Sequence, residues 1–265
     1  MHSIAGMGAD PTPAPKDWAC RDRGRPAPYM HESMYADRFA KANKISAILS
    51  DFLGGPVKGR RCADVGCAIG AVAIRLAESG NEVVGIDLNR AALLEAVAVR
   101  PRELLAFIQS DAAAIPISSE SLDIVIAAQV YEHTPDPESM AQEVYRILRP
   151  GGVCFFSGPN KYTLLEEHYW LPFLSWLPRQ WATAYIKLFR RGGQYDIHSL
   201  SWRDLRGLWR RFTVVDYTWR LVKEPERFGG YGVGWGSKMA SRVPSFLIRR
   251  LACLAPNFNW ILVKG

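Results

Sequence analysis

The chain has 265 residues, of which 48% are hydrophobic and 22% charged, with a formal net charge of +7 at pH 7. That is globular composition with enough chain for a sizeable core, and it excludes disorder throughout. The five cysteines (Cys20, Cys62, Cys67, Cys154, Cys253) are scattered, with no Cys-x-x-Cys and no Cys/His cluster at zinc or iron–sulfur spacing, which points to a reducing compartment and no structural metal.

The opening residues MHSIAGMGADPTPAPK lack the charged start and apolar stretch of a secretory signal. Five prolines between residues 10 and 28 favour extended chain, so 1–28 reads as a mobile tail and 29–265 as a single domain. From Glu32 to Leu53 the apolar residues fall near helical spacing, and Gly54-Gly55-Pro56 is a stop. Short apolar runs then alternate with helical stretches. Strands are expected at Arg61–Gly66, Glu82–Asp87, Leu104–Gln109, Leu122–Ala128 and Val153–Ser157, and helices at Ile69–Glu78 and Pro137–Leu148. Such alternation builds a parallel sheet covered on both faces.

After Lys161 the alternation breaks. An aromatic, proline-rich stretch from His168 to Phe189 precedes a helix at Ser201–Arg211, strands at Thr213–Thr218 and Asn259–Val263, and a basic amphipathic helix at Ser245–Leu254. Residues 1–160 hold 16 Lys+Arg and 19 Asp+Glu, whereas 161–265 hold 17 and 7, so the basic character belongs to the C-terminal part. A basic surface can attract nucleic acid, anionic lipid or an anionic substrate. No run approaches the roughly 18 apolar residues of a spanning helix, so the protein is expected to be cytoplasmic, with at most peripheral membrane contact.

The turn Asp64-Val65-Gly66-Cys67-Ala68-Ile69-Gly70 lies between the first strand and a helix, where glycines admit a ligand close to the backbone. A dinucleotide fingerprint laid on Gly66 meets Ala68 and Ala71 at its second and third glycines, and no Gly-Lys-Ser/Thr follows Gly70, so NAD is disfavoured and a phosphate-binding loop for ATP is excluded. The turn instead resembles motif I of the class I S-adenosylmethionine-dependent methyltransferases, with Ala68 in place of one glycine. Asp87-Leu88 at the end of the second strand, Ser110-Asp111-Ala112 after the third, Ala128 to Pro137 at the end of the fourth, and Leu148-Arg149-Pro150-Gly151-Gly152 before the fifth are similar to the family's later motifs, over residues 60–160.

The resemblance implies a Rossmann-like, doubly wound, mostly parallel seven-stranded sheet with an inserted substrate lid over 161–212. It implies S-adenosylmethionine as cofactor, held by Asp64, Gly66, Cys67, Gly70, Asp87, Leu88, Asp111, Ala112 and Gln129. Asp87 would accept from the ribose hydroxyls and Asp111 from the adenine amino group, although each could simply cap a local turn. His133 is the candidate catalytic base, with positioning of its loop as the equal alternative; His168 and His198 read as ordinary surface or packed residues. No metal is expected. An Asn-Pro-Pro-Tyr-type signature of amino-methylating nucleic-acid enzymes is absent, with Gly158-Pro159-Asn160-Lys161 at that place.

The insert has the composition of an interfacial element, with Trp170, Phe173 and Trp176 beside Arg179, Lys187, Arg190 and Arg191. It is expected either to cover a hydrophobic, lipid-linked acceptor at an anionic membrane or to form a satellite core. The expected activity is methyl transfer to a small or lipid-linked hydrophobic acceptor, with a quinone or other small aromatic as the alternative. From other classes, an RNA-binding protein or a nonenzymatic cofactor binder remain; for the former, Trp202 to Phe212 would stack bases, but its apolar residues recur at the spacing of a buried helical face.

Overall fold

The structure, a computed structural model, describes residues 32–99, 103–166, 168–229 and 243–265. The proline-rich tail expected at 1–28 lies outside the described residues.

Helix α1 (Glu32–Leu53) leads into a repeating strand and helix pattern: β1 (Arg61–Val65), α2 (Ala71–Glu78), β2 (Glu82–Asp87), α3 (Arg90–Val99), β3 (Leu105–Gln109), β4 (Leu122–Ala128), α4 (Pro137–Ile147) and β5 (Leu148–Pro159). The insert contains a two-residue hairpin of β6 (Leu165–Glu166) and β7 (Leu171–Pro172), then α5 (Arg179–Leu188). Helix α6 (Trp202–Leu208), β8 (Phe212–Asp216), α7 (Thr218–Lys223), α8 (Ser245–Leu251) and β9 (Asn257–Lys264) follow.

Seven strands form one sheet in the order β3-β2-β1-β4-β5-β9-β8. β1 to β5 run parallel, and β9 is antiparallel to both of its neighbours. Strand order reverses between β1 and β4, the place where a doubly wound sheet opens a crevice for ligand at the carboxyl ends of its strands. Register makes those ends level: Val65 faces Ile86 on one side and Ala127 on the other, and Asp87 faces Gln109.

Alternation along the strands feeds two cores. Cys154 and Phe156 of β5 and Trp260 and Leu262 of β9 join Met140, Val144, Leu205 and Trp209 on one face. Val153, Phe155 and Ile261 join Ile45, Ile48 and Leu49 of α1 and Leu76 of α2 on the other. Tyr169, Leu171, Leu174, Ala182, Ile186, Tyr195 and Ile197 form a third core inside the insert.

The mostly parallel seven-stranded sheet agrees with the expected fold, and the differences are local. Helix α2 starts at Ala71 rather than Ile69, because Gly70 at φ 74° still belongs to the turn. Helix α6 stops at Leu208, its start fixed by a capping box of Ser201 and Asp204. The strand expected to reach Thr218 ends at Asp216, whose carboxylate accepts the Thr218 N–H at 2.7 Å and opens α7 instead. Strands β5 and β9 are longer than expected: they pair from Val153 with Val263 through Pro159 with Asn257, and β5 starts earlier, at Leu148, which pairs with Leu122 of β4.

Candidate functional site

At the carboxyl end of β1 the glycine turn is held from below. The Gly66 and Cys67 N–H groups both donate to the Ile86 carbonyl, at 2.8 and 3.0 Å. Gly66 and Gly70 have φ of 72° and 74°, and Ala68 adopts the same left-handed region at 47°. A Cβ on Gly66 would stand 2.6 Å from Cγ2 of Val130, so this glycine exists to let the segment after β4 close on the turn.

Two carboxylates brace the turn. Asp64 is buried, and its Oδ2 accepts the Ala73 N–H at 3.1 Å in the first turn of α2. Burial, reinforced by the nearby Asp87 charge, pushes its acid up to about 7. Asp87 accepts the Ala68 N–H on Oδ2 at 2.7 Å and the Asn89 N–H on Oδ1 at 2.8 Å. A carboxylate has about four acceptor positions, so two remain for a vicinal diol arriving over the turn. Burial holds the Cys67 thiol well above its usual range, with Asp64 and Asp87 adding to the effect, so the thiol packs and does not react.

Leu88 is half-buried beside Asp87, its carbonyl accepting from the Gln109 amide at 3.1 Å. Asp111 caps its own turn, Oδ1 accepting the Ala113 N–H at 2.9 Å, and Ala112 lies in that turn. Gln129 has φ 58° and donates its side-chain amide to Asn257 at 2.8 Å, so the carboxamide is directed at β9 while its backbone borders the glycine turn through Val130. The structure thus brings the glycine turn, Asp87, Leu88, Asp111 and Ala112 to one edge of the sheet.

A 3-10 turn, Tyr131–His133, continues from β4. Tyr131 is buried and its hydroxyl donates to the Pro159 carbonyl at 2.5 Å while accepting the Leu200 N–H at 3.1 Å. Glu132 is buried, its carbonyl accepting the His198 N–H at 2.9 Å, and His133 is exposed. The segment from His198 to Leu200 therefore docks the insert onto this turn. His168, which sequence reading ranked as an ordinary residue, meets His133 edge-to-face with ring centroids 5.3 Å apart. The ligand atoms of Glu132, His133 and His168 lie within 4.8 Å of one another, a grouping that sequence spacing does not show because His168 lies 35 positions beyond His133.

The insert has a core of its own and an exposed apolar face. Its small core faces inward, while Trp170, Phe173, Trp181, Leu188 and Phe189 are all at least half exposed. Arg179, Lys187, Arg190 and Arg191 flank them in solvent. On α8, Phe246 and Leu251 are exposed beside Arg249 and Arg250. No helix of the described residues is long and apolar enough to cross a membrane. Leu205, Trp209 and Phe212 are buried, so they cannot stack on bases.

Residues 63–156 match a family model described as "Methyltransferase domain". A ubiquinone biosynthesis O-methyltransferase of Alkalilimnicola ehrlichii is 35% identical over 63% of this chain and 72% of its own length. One from Paracidovorax citrulli is 34% identical over 46% of this chain and 54% of its own, and the chain spans about half the length of several such relatives. Among solved structures, an S-adenosylmethionine-dependent methyltransferase from Mesorhizobium loti has the same fold, with TM-score 0.53 and 18% identity over 78% of this chain and 92% of that one. With motif, topology and relatives in agreement, the chain belongs to the class I S-adenosylmethionine-dependent methyltransferase family.

Proposed function

We propose that this chain transfers a methyl group from S-adenosylmethionine to a ring hydroxyl of a small hydrophobic, quinone-related acceptor that can be lipid-linked. One observation carries the cofactor assignment: Asp87 holds the glycine turn at Ala68 and keeps acceptor capacity toward the crevice. The relatives' printed name supports an aromatic oxygen as the accepting atom.

When bound, the cofactor supplies an electrophilic methyl group on a sulfonium. The backbone from Gly66 to Gly70 would pass its amino-acid end, with Asp64 and Cys67 packed beneath; Asp87 and Leu88 would meet the ribose, Asp111 and Ala112 the adenine, and Gln129 the near wall. Methyl transfer asks chiefly for alignment and exclusion of water, which the docked insert provides. His133 stands beside the acceptor end, placed to orient the acceptor hydroxyl or to hold its own loop. No metal is required by this reading.

The exposed aromatic and basic face of the insert and α8 supports peripheral contact with an anionic membrane, where a lipid-linked acceptor would reside. The full chain, incubated with methyl-labelled S-adenosylmethionine and a panel of catechols and prenylated hydroxyphenols, should give labelled product extractable into organic solvent. Label on no ring hydroxyl contradicts the proposal.

A further inference from the structure

The insert brings a second imidazole against the turn after β4, and it does so with a carboxylate behind it. Glu166, the last residue of β6, is buried. Its Oε2 accepts the Tyr169 N–H at 2.7 Å, and its Oε1 lies 2.7 Å from Nδ1 of His168. The Tyr169 hydroxyl is tied in turn to Asp196 at 2.9 Å and to the Gln194 carbonyl at 3.1 Å. The turn is held by the Tyr169 contact and by the Trp170 N–H on the Glu166 carbonyl, neither of which uses Oε1. The second oxygen is spent on an imidazole whose side chain is 26% exposed, against 3% for Glu166.

We propose that His168, positioned by Glu166, is the general base for the acceptor hydroxyl, so that the insert contributes to the chemistry and does not only cover it. This rests on the methyltransferase reading above. An Nδ1–H donated to Glu166 fixes the tautomer and leaves the lone pair on Nε2. The acceptor hydroxyl gives its proton to Nε2 as its oxygen bonds the methyl carbon. The electron pair of the broken carbon–sulfur bond stays with the sulfur, and the imidazolium later returns the proton to water. The Glu166 carboxylate stabilises that imidazolium and keeps the ring oriented. Among the described residues, the ionisable groups near the His168–Glu166 pair include Glu132 and His133 on the turn after β4 and, in the insert, Tyr169, Asp196 and Tyr195, the last with its hydroxyl kept neutral by burial and by the Glu166 charge. His133 meets the His168 ring edge-to-face and restricts its tilt.

The test uses the full chain freed of divalent cations by chelation. It is titrated with 4-nitrocatechol without S-adenosylmethionine, and the phenolate absorbance of the bound probe is read, alongside methylation rates over pH. Wild type should ionise the bound probe at a pH lower by about 1 to 3 than in water. His168→Asn should bind the probe without ionising it and keep its affinity for S-adenosylmethionine. It should lose about 100-fold in kcat, within the range for a general base, and recover in part with added imidazole. Glu166→Gln should displace the pH profile downward, since the imidazolium loses its paired charge. A His168→Asn variant that ionises the probe as wild type does overturns the proposal alone. So does ionisation that needs added magnesium or zinc, which would make Glu132, His133 and His168 a metal centre. A folded wild type that methylates no ring hydroxyl overturns the ring-hydroxyl acceptor reading and this proposal with it.

Discussion

Oδ2 of Asp87 accepts the backbone N–H of Ala68 at 2.7 Å, so the last residue of β2 fixes the left-handed residue at the middle of the glycine turn. The carboxylate that would hold a ribose therefore also shapes the loop that would pass the rest of the cofactor. Turn conformation and ligand affinity are coupled through one side chain.

Gly66→Ala should damage the site by a contact and not by chemistry. The new Cβ would lie 2.6 and 2.9 Å from Val130 Cγ2 and Cβ, in a backbone conformation an L side chain resists. Overpacking of this kind costs about 1–3 kcal/mol. Denaturant titration should show that loss, and adding Val130→Ala should restore a substantial part of it. An undiminished loss in the double variant would place the cost in the backbone alone.

The acid of Asp64 stands at about 7 in the folded chain against an ordinary 3.8, because burial penalises its charge. The folded state then binds more protons than the unfolded state between these values, so this group's contribution is present below about pH 4 and is lost as pH rises toward 7. Asp64→Asn keeps an acceptor for the Ala73 N–H and removes the ionisation. Urea midpoints measured across this range should fall less with rising pH in the variant. Parallel curves would mean that Asp64 is not the group responsible.

Leu174 is fully buried in the insert's own core, which is separate from the two cores of the sheet. Leu174→Ala should cost about 2–5 kcal/mol of local stability by leaving a cavity. Limited proteolysis should cut the insert faster while S-adenosylmethionine binding survives and acceptor methylation fails. Equal loss of cofactor binding would show that the insert and sheet fold as one unit.

Arg190 and Arg191 follow α5 beside the exposed Leu188 and Phe189. Each cation near an anionic bilayer contributes about 1 kcal/mol, so replacing both by Gln should weaken pelleting with anionic vesicles about 30-fold at low salt. Zwitterionic vesicles should bind either protein weakly. Equal binding of wild type and variant to anionic vesicles would remove the membrane contact.

The helix Glu32–Leu53 was legible end to end, because Phe39, Ile45, Ile48, Leu49 and Phe52 fall near helical spacing and Gly54-Gly55-Pro56 closes it. Strands β1 to β5 were legible as short, mostly apolar runs, β2, β1, β4 and β5 lying inside the sheet and β3 at its edge. Helix α3 was not, since RAALLEAVAV carries apolar residues on nearly every side and shows no stripe. Helix α5 was hidden in a stretch whose aromatics face both the insert core and solvent. The glycine turn and Asp87 could be read because their motif is contiguous or ends a strand. The approach of His168 to His133 could not, because it depends on the β6–β7 hairpin and on His198 and Leu200 docking at the turn after β4.

The central claim is that the edge formed by Gly66, Gly70 and Asp87 holds S-adenosylmethionine, and calorimetry tests it most directly. S-adenosylmethionine and S-adenosylhomocysteine should bind wild type at micromolar concentration, and Asp87→Ala, still folded by its thermal transition, should bind at least about tenfold more weakly, the 1.5–3 kcal/mol of a hydrogen bond to a charged group. Absence of binding by a folded wild type, or equal affinity in the variant, would contradict the assignment of this edge as the cofactor site.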